Sequence, residues 1–532
     1  MVERAAAPDW QRTSGSKTMS EALELELDPK GNGRKLGKSL KRALREVEVL
    51  REEGYYASAL TEMRRIAAKN PEHPLIHGVT GTILHSLQRI PQAHEHFWRG
   101  LYLDPENDGY RMWLAHTALS LGQPETILDI IAAAREPNAE PLPAYRAGAL
   151  RELERHEEAE SLAREILDGT PSSTHTYRIL IGYGLGIEHK NFERGLSRQL
   201  ARKRWSDLEK AQAQFLLADL YHLRGDYEQA WQTYEAANRA GQRGQPEAFR
   251  GRFNLEEIER RVDHVIKHFP RELIEDPPEF GLAEHIARPA LVLGLPRAGK
   301  SMLEQQLEVH PQVYAAAEMQ PFERVLQHIL KETGVQPMDL LRKMPLKQRV
   351  QVGNLYLNQL QTRDSRGMRV TDTNPANLPL AGFMWAAVPG TTVILVERDP
   401  VDVAFAYFTK FLPRLRAGCL DPYTTGRYVR SQLRLIDFWR DHLPTRCVAI
   451  RYEDLVRRPE AETGRVLEAL ELPWDEACRA PERETALQVS SQDSHQRARP
   501  DERFVGLAEP YRDWLDPLLE GLGEHAEKSR FA

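Results

Sequence analysis

The sequence predicts two fold classes in one chain. Residues 37–241 read as an all-helical repeat solenoid, and residues 286–532 as an α/β domain. The second is expected to be a phosphate-loop-like parallel sheet with helices on both faces. Two observations carry this. Small or apolar residues recur at Ala59, Ala93, Ile127, Ala159, Gly195 and Ala230, at intervals of 34, 34, 32, 36 and 35 residues. Downstream, residues 289–301 run as a short apolar strand, a glycine loop and a helix start, and three further strand-like runs alternate with helical stretches.

At 532 residues the chain is long enough for two or more domains, and 41% hydrophobic content suffices for sizeable cores. A net charge of −6 weighs against nonspecific nucleic-acid binding. Cys419, Cys447 and Cys478 are far apart and form no CxxC pair, so neither a disulfide scaffold nor a zinc site is indicated. Residues 1–20 are polar without the apolar centre of a secretion signal, and no run approaches a membrane span. The expectation is a cytoplasmic protein without membrane or nucleic-acid partners, with residues 1–36 mobile.

Other positions keep phase with the repeat. Gly54, Gly122 and Gly225 lie five residues before their markers, where one helix must turn into the next. Val47, Gly81, Ala115, Ala147 and Ala218 lie twelve before, where two helices pack closely. Pro71, Pro105 and Pro171 lie twelve after, where a helix ends. The period resembles that of the tetratricopeptide repeat family. The resemblance implies stacked helical pairs with a groove for a peptide or protein partner. The alternative is a scaffold that only shields or dimerises the other half. The basic residues 202–204 beside Trp205 read as a solvated face. Residues 242–285 read as a joining segment with one helix over 253–268.

In the second half, strands are expected over 290–293, 368–371, 392–396 and 446–451, with helices over 301–309, 320–330, 346–361 and 423–442. Parallel sheets bind ligands at the carboxyl ends of their strands, and the glycine loop follows the first strand. Gly294 and Gly299 allow a sharp turn, the helix start offers free N–H groups, and Arg297 and Lys300 add positive charge. A phosphorylated ligand is the expectation. Read literally, Gly294-x-x-x-x-Gly299-Lys300-Ser301 is a nucleoside-triphosphate loop, and Glu397 could supply a carboxylate for magnesium.

A second reading covers more residues. Leu293-Gly294-Leu295-Pro296-Arg297-Ala298-Gly299-Lys300-Ser301 resembles the 5′-phosphosulfate loop of sulfotransferases. Thr371-Asp372-Thr373-Asn374-Pro375-Ala376-Asn377 resembles that family's T-D-K-x-P-x-N segment. Arg398-Asp399-Pro400-Val401-Asp402 resembles its 3′-phosphate segment, and Arg451-Tyr452-Glu453-Asp454-Leu455 its late R-Y-E-D-L. The pieces stand in family order over about 240 residues, and fusion to tetratricopeptide repeats is a bacterial arrangement of this family.

The resemblance implies 3′-phosphoadenosine 5′-phosphosulfate as donor, no metal, and sulfuryl transfer to an acceptor hydroxyl on a peptide or protein held by the repeats. It places the donor on Pro296, Arg297, Ala298, Gly299, Lys300, Ser301, Arg398 and Tyr452, and Lys410, twelve residues after Arg398, could add charge there if the helix after Pro400 folds back. It makes Arg297 and Lys300 stabilisers of leaving-group charge and Glu318 the base, as in the protein-tyrosine branch. His310 and Asp372 are expected to be structural. The sequence departs from the family at Ala298 (usually Ser), Lys300 (Thr), Thr373 (Lys), Ala406 (Ser) and Gly506-Leu507-Ala508 (G-R-W). Lys300 could replace the charge missing at Thr373. A triphosphate-dependent phosphotransferase, a catalytically inactive binding protein, a small-molecule acceptor and a homodimer stay open as alternatives.

Overall fold

A computed structural model gives the architecture. It describes residues 38–52, 56–86, 89–201, 205–244, 254–272, 287–316, 322, 326, 337–360, 368–388, 390–410, 421–443, 447–479 and 502–529. The N-terminal 36 residues, the basic residues 202–204, Glu318, Cys419 and most of the helix expected over 320–330 lie outside the described residues. Two compact units divide the chain, the first running to Gln245 and the second starting at Pro246.

The first unit is a row of helical hairpins. The pairs are α1 (Lys38–Glu52) with α2 (Tyr56–Ala67), α3 (Pro74–Ser86) with α4 (Ile90–Leu103), and α5 (Asp108–Ser120) with α6 (Pro124–Ala132). Then follow α7 (Leu142–Glu152) with α8 (His156–Asp168), α9 (Thr174–Gly182) with α10 (Lys190–Leu200), and α11 (Asp207–Arg224) with α12 (Tyr227–Arg243). Every recurring residue falls on the second helix of its pair, and every one is buried. Val47, Gly81, Ala115, Ala147 and Ala218 fall on the first helices and are buried too. Small side chains at these points let adjacent helices come close enough to share one apolar core. At Gly195 the reason is explicit: a Cβ there would lie 1.8 Å from the Tyr177 hydroxyl.

The first helices α5, α7, α9 and α11 also pack side by side. A polar row follows them. His85 Nε2 lies 2.9 Å from His116 Nε2, His116 Nδ1 lies 3.0 Å from Tyr145 Oη, and Tyr145 Oη lies 2.7 Å from His175 Nε2. Buried His175 Nδ1 has no hydrogen-bond partner among the described residues. A stranded lone pair costs less there than a stranded N–H, so His175 Nε2–H donates to Tyr145, Tyr145 to His116, and His116 Nε2–H to His85. Neutral rings satisfy this row; a second proton on His116 would face the Tyr145 O–H. Nearby, His94 is likewise fixed as neutral: Trp98 Nε1 donates to its Nε2 at 2.8 Å, and its Nδ1 lies 2.7 Å from Thr117 Oγ1.

Burial, with Arg178 and His116 beside it, holds His175 well below the ordinary histidine range, and burial pushes His94 down to about 4. Both groups bind fewer protons folded than unfolded. Their stabilisation is therefore complete above the ordinary value near 6.5 and is lost as pH falls from there toward 4. For His94 alone the loss is roughly 2 kcal/mol after allowing for the part of the ring that water reaches. Urea unfolding of this unit should show a lower midpoint at pH 5 than at pH 7, and His94→Gln should flatten that difference.

The second unit opens with α13 (Leu255–His268), which lies inside the stretch read as a joining segment and packs on a later long helix. Its sheet contains β1 (Arg288–Leu293), β2 (Val313–Ala315), β3 (Arg369–Asp372), β4 (Thr392–Glu397) and β5 (Cys447–Arg451), in the order β2-β3-β1-β4-β5, all parallel. The helices between strands are α14 (Lys300–Glu308), α15 (Pro337–Lys343), α16 (Leu346–Leu360), α17 (Ala381–Ala387), α18 (Pro400–Thr409) and the long α19 (Pro422–His442). After β5 come α20 (Tyr452–Arg457), α21 (Pro459–Ala469) and α22 (Asp516–Leu522). Edge strand β2 is not among the strands expected from the sequence. It has three residues, too few for a period-two pattern, and exists by pairing Val313 with Arg369. No described helix is long and apolar enough to cross a membrane.

Candidate active site

The sheet order fixes where a ligand can sit. From β1 the chain moves to one side, to β3 and β2, and then returns past β1 to β4 and β5. The reversal opens a crevice at the carboxyl ends of β1 and β4, the usual ligand position in open α/β sheets. Three strand ends deliver residues to it: β1 the glycine loop, β4 Arg398, and β5 Tyr452.

Two glycines shape the loop. A Cβ on Gly294 would lie 2.3 Å from the Val396 carbonyl oxygen, so only glycine lets the loop leave β1 this close to β4. Gly299 has φ +103, and a Cβ on it would lie 2.6 Å from Tyr452 Cδ2: the tyrosine ring occupies the space a side chain would fill. Arg297 between them adopts φ +73, unusual for a residue with a side chain. Gly299 caps α14 without a side-chain hydrogen bond. The first N–H groups of α14 lack intrahelical carbonyls and form the positive end of its dipole. Lys300 is buried at this first turn and Ser301 is exposed.

Buried Arg398 ties the loop down. Its Nη1 donates to the Arg297 carbonyl at 2.9 Å, its Nη2 donates to the Phe504 carbonyl, and its guanidinium lies 4.8 Å from the centre of the Tyr452 ring. The next residues anchor the same region. Asp399 accepts from the amides of Val401 and Asp402, capping α18, and from Ser529 Oγ at 2.8 Å. The Asp399 amide donates to Glu453 Oε1 at 2.8 Å. Asp402, fully buried, accepts from Gly506 N at 2.7 Å and Ala508 N at 3.0 Å. The positions where the family's G-R-W stands thus serve here through their backbone amides.

Asp372 at the end of β3 is structural, as expected. It is fully buried and accepts from Tyr356 Oη at 2.6 Å, Asn377 Nδ2 at 2.9 Å and the Asn374 amide at 3.0 Å. Burial and the Asp372 charge together push the Tyr356 hydroxyl well above its ordinary range, so it stays a donor. Asn377 Oδ1 in turn accepts from the Phe322 amide at 3.1 Å. His310 is structural too: Nδ1 accepts from Gln312 N, and Nε2–H donates to the Pro473 carbonyl at 3.0 Å.

Pro296, Arg297, Gly299, Lys300, Ser301, Arg398 and Tyr452 belong to the three strand-end segments that meet at this crevice. Two others do not join them. Ala298 packs its methyl in the core beside Val292 and Leu303, and its amide donates to Leu295 O at 3.2 Å, so it offers a ligand neither group. Lys410 follows the last residue of α18, about 15 Å along the axis from Pro400, because the helix runs unbroken. Glu318 lies outside the described residues. Glu397, the alternative magnesium ligand, is paired with Arg440 at 2.8 Å. Sequence reasoning missed Glu304, a buried carboxylate on α14 that accepts from Thr371 on β3, and Tyr356; neither carries a motif.

Residues 289–476 match the model of the sulfotransferase family. An uncharacterized protein of Aquifex aeolicus (strain VF5) is 28% identical over 282 residues, 50% of this chain and 35% of that one. Protein-tyrosine sulfotransferase of Drosophila melanogaster is 21% identical over 201 residues, 35% of this chain and 38% of that one. The chain therefore spans little more than a third of the length of these relatives. Among solved structures, the sulfotransferase domain of the Synechococcus PCC 7002 olefin synthase is 18% identical, with TM-score 0.29, covering 43% of this chain and 90% of that one. Sulfotransferase from Alicyclobacillus acidocaldarius is 17% identical, with TM-score 0.27, covering 46% and 97%. The family match lies across the glycine loop, Arg398 and Tyr452.

Proposed function

We propose that the second unit transfers a sulfuryl group from 3′-phosphoadenosine 5′-phosphosulfate to an acceptor hydroxyl on a peptide or protein. One observation carries the reading: the carboxyl ends of β1, β4 and β5 deliver the glycine loop, Arg398 and Tyr452 to one crevice. The residues suit a nucleotide with a 5′-phosphate. Gly299 and Tyr452 shape the cradle, and Arg297, Lys300 and the first amides of α14 supply positive charge. The donor supplies the sulfuryl group; the chain supplies position and stabilisation of the charge that develops on the leaving oxygen.

A protein acceptor is favoured because relatives include protein-tyrosine sulfotransferases, and because rows of helical hairpins present extended binding surfaces. We assign the acceptor's proton to Glu318. Label transfer from a radioactive donor should be faster to tyrosine peptides than to small phenols, and Glu318→Gln should slow it while leaving nucleotide affinity unchanged. Preference for the phenols would remove the peptide acceptor, and undiminished transfer by Glu318→Gln would remove the base.

A further inference from the structure

We propose that His77 and His96 bind one divalent transition ion of the zinc, nickel or copper class across the helical hairpin α3–α4. This site lies in the first unit and is independent of the donor and acceptor of the second. Packing brings the two rings together. Gly81 on α3 admits the Phe97 ring of α4: a Cβ there would lie 2.6 Å from Phe97 Cε1. His77 stands one helical turn before Gly81, and His96 immediately precedes Phe97. The close approach at Gly81 therefore carries His77 to His96, 19 residues on, and their Nδ1 atoms lie 3.2 Å apart. Both side chains are half-buried, so solvent and ions reach them.

Tautomers decide what this pair can do. His77 Nε2 lies 2.9 Å from the Pro71 carbonyl oxygen. A carbonyl only accepts, so the His77 proton sits on Nε2, and Nδ1 turns a lone pair towards His96. A backbone carbonyl is also a usual second partner of a metal-bound histidine. No other hydrogen bond among the described residues fixes the tautomer of His96. Its proton can stand on Nδ1, donated to His77, or on Nε2, leaving two lone pairs that converge. In the second state an ion fits between them. Imidazole nitrogens bind such ions at about 2.0–2.1 Å, and two of them at a tetrahedral angle are then about 3.3–3.4 Å apart. The 3.2 Å spacing needs little movement.

Shifting the His96 proton from Nδ1 to Nε2 keeps both rings neutral, so binding releases no proton. The His85–His116 pair, 2.9 Å apart, lacks this freedom, because Tyr145 donates to His116 Nδ1 and holds the His116 proton on Nε2. Among the described residues no group of three or more His, Cys, Asp or Glu suits a metal, so water completes the coordination at His77 and His96.

Equilibrium dialysis of the full chain against Zn2+ at about pH 7.5, where imidazoles are neutral, should find one ion held more tightly than any other. His77→Gln and His96→Gln should each weaken that ion at least tenfold, and His85→Gln should not. Mg2+, which takes oxygen ligands, should not bind there. In the native chain Zn2+ should also protect His77 and His96 from acylation by diethyl pyrocarbonate, read by peptide mass spectrometry, and Mg2+ should not; this arm needs no variant to fold. Absence of a tight ion, or its retention by both variants, would overturn the site. Acylation of His77 and His96 that Zn2+ does not slow would do the same, and the pair would then be an ordinary imidazole hydrogen bond. Loss of the ion in His85→Gln alone would move it to the other pair and overturn the assignment.

Discussion

Gly299→Ala is expected to destroy nucleotide binding while leaving the first unit folded. The new methyl would start 2.6 Å from Tyr452 Cδ2 and 3.3 Å from Cε2. That ring has little room to retreat, because Arg398 lies against it. The substitution also puts a side chain on a residue at φ +103. Left-handed strain costs about 1–3 kcal/mol, and overpacking about as much again. A total of roughly 3 kcal/mol, if taken up by distortion of the loop, is about a hundredfold in affinity. Titration with adenosine 3′,5′-bisphosphate reads the loss. Gly464→Ala on α21 is the control: nothing lies within 4 Å of the added carbon, so binding should not change. Affinity within twofold of the native chain for Gly299→Ala would show that the Gly299–Tyr452 contact does not shape the site.

Asp372→Ala should be the most destabilising single change in the second unit. It leaves a buried hydroxyl, a side-chain amide and a backbone N–H without their acceptor, and opens a cavity at the end of β3. Stranded buried donors cost about 1–3 kcal/mol each before relaxation. A loss of about 3–5 kcal/mol is a large share of the stability of an ordinary domain. Asp372→Asn keeps the shape but turns an amide toward the Asn374 N–H, so it should lose less, near 2 kcal/mol. Urea unfolding followed by tryptophan fluorescence checks the order Ala, then Asn, then native. Equal midpoints for all three would mean that the network does not hold β3 to its loop.

Local pattern explains what was legible in the sequence. The helix pairs were readable because each needs a small residue where it meets its neighbour, and that need repeats near every 34 residues from Ala59 to Ala230. β1, β3, β4 and β5 were readable as apolar runs close to their final bounds. The glycine loop was readable because its turn and the close approach of its backbone restrict residue type. What was hidden depends on contacts between distant segments. Nothing near Arg398 says that it reaches Arg297 and Phe504. Gly506-Leu507-Ala508 looked like a missing basic contact, but Asp402 uses its amides, which any non-proline sequence provides. Lys410 was placed on the condition that the helix after Pro400 folds back, and that helix runs unbroken to Thr409. Glu397 looked free for a metal until Arg440, 43 residues on, was seen to pair with it.

The donor class is the centre of this reading, and calorimetry on the full chain tests it most directly. Adenosine 3′,5′-bisphosphate should bind without added metal, and ATP with magnesium should bind far more weakly or not at all. Magnesium-dependent ATP binding with no response to the bisphosphate would contradict it. Gly294-x-x-x-x-Gly299-Lys300-Ser301 would then be a triphosphate loop after all.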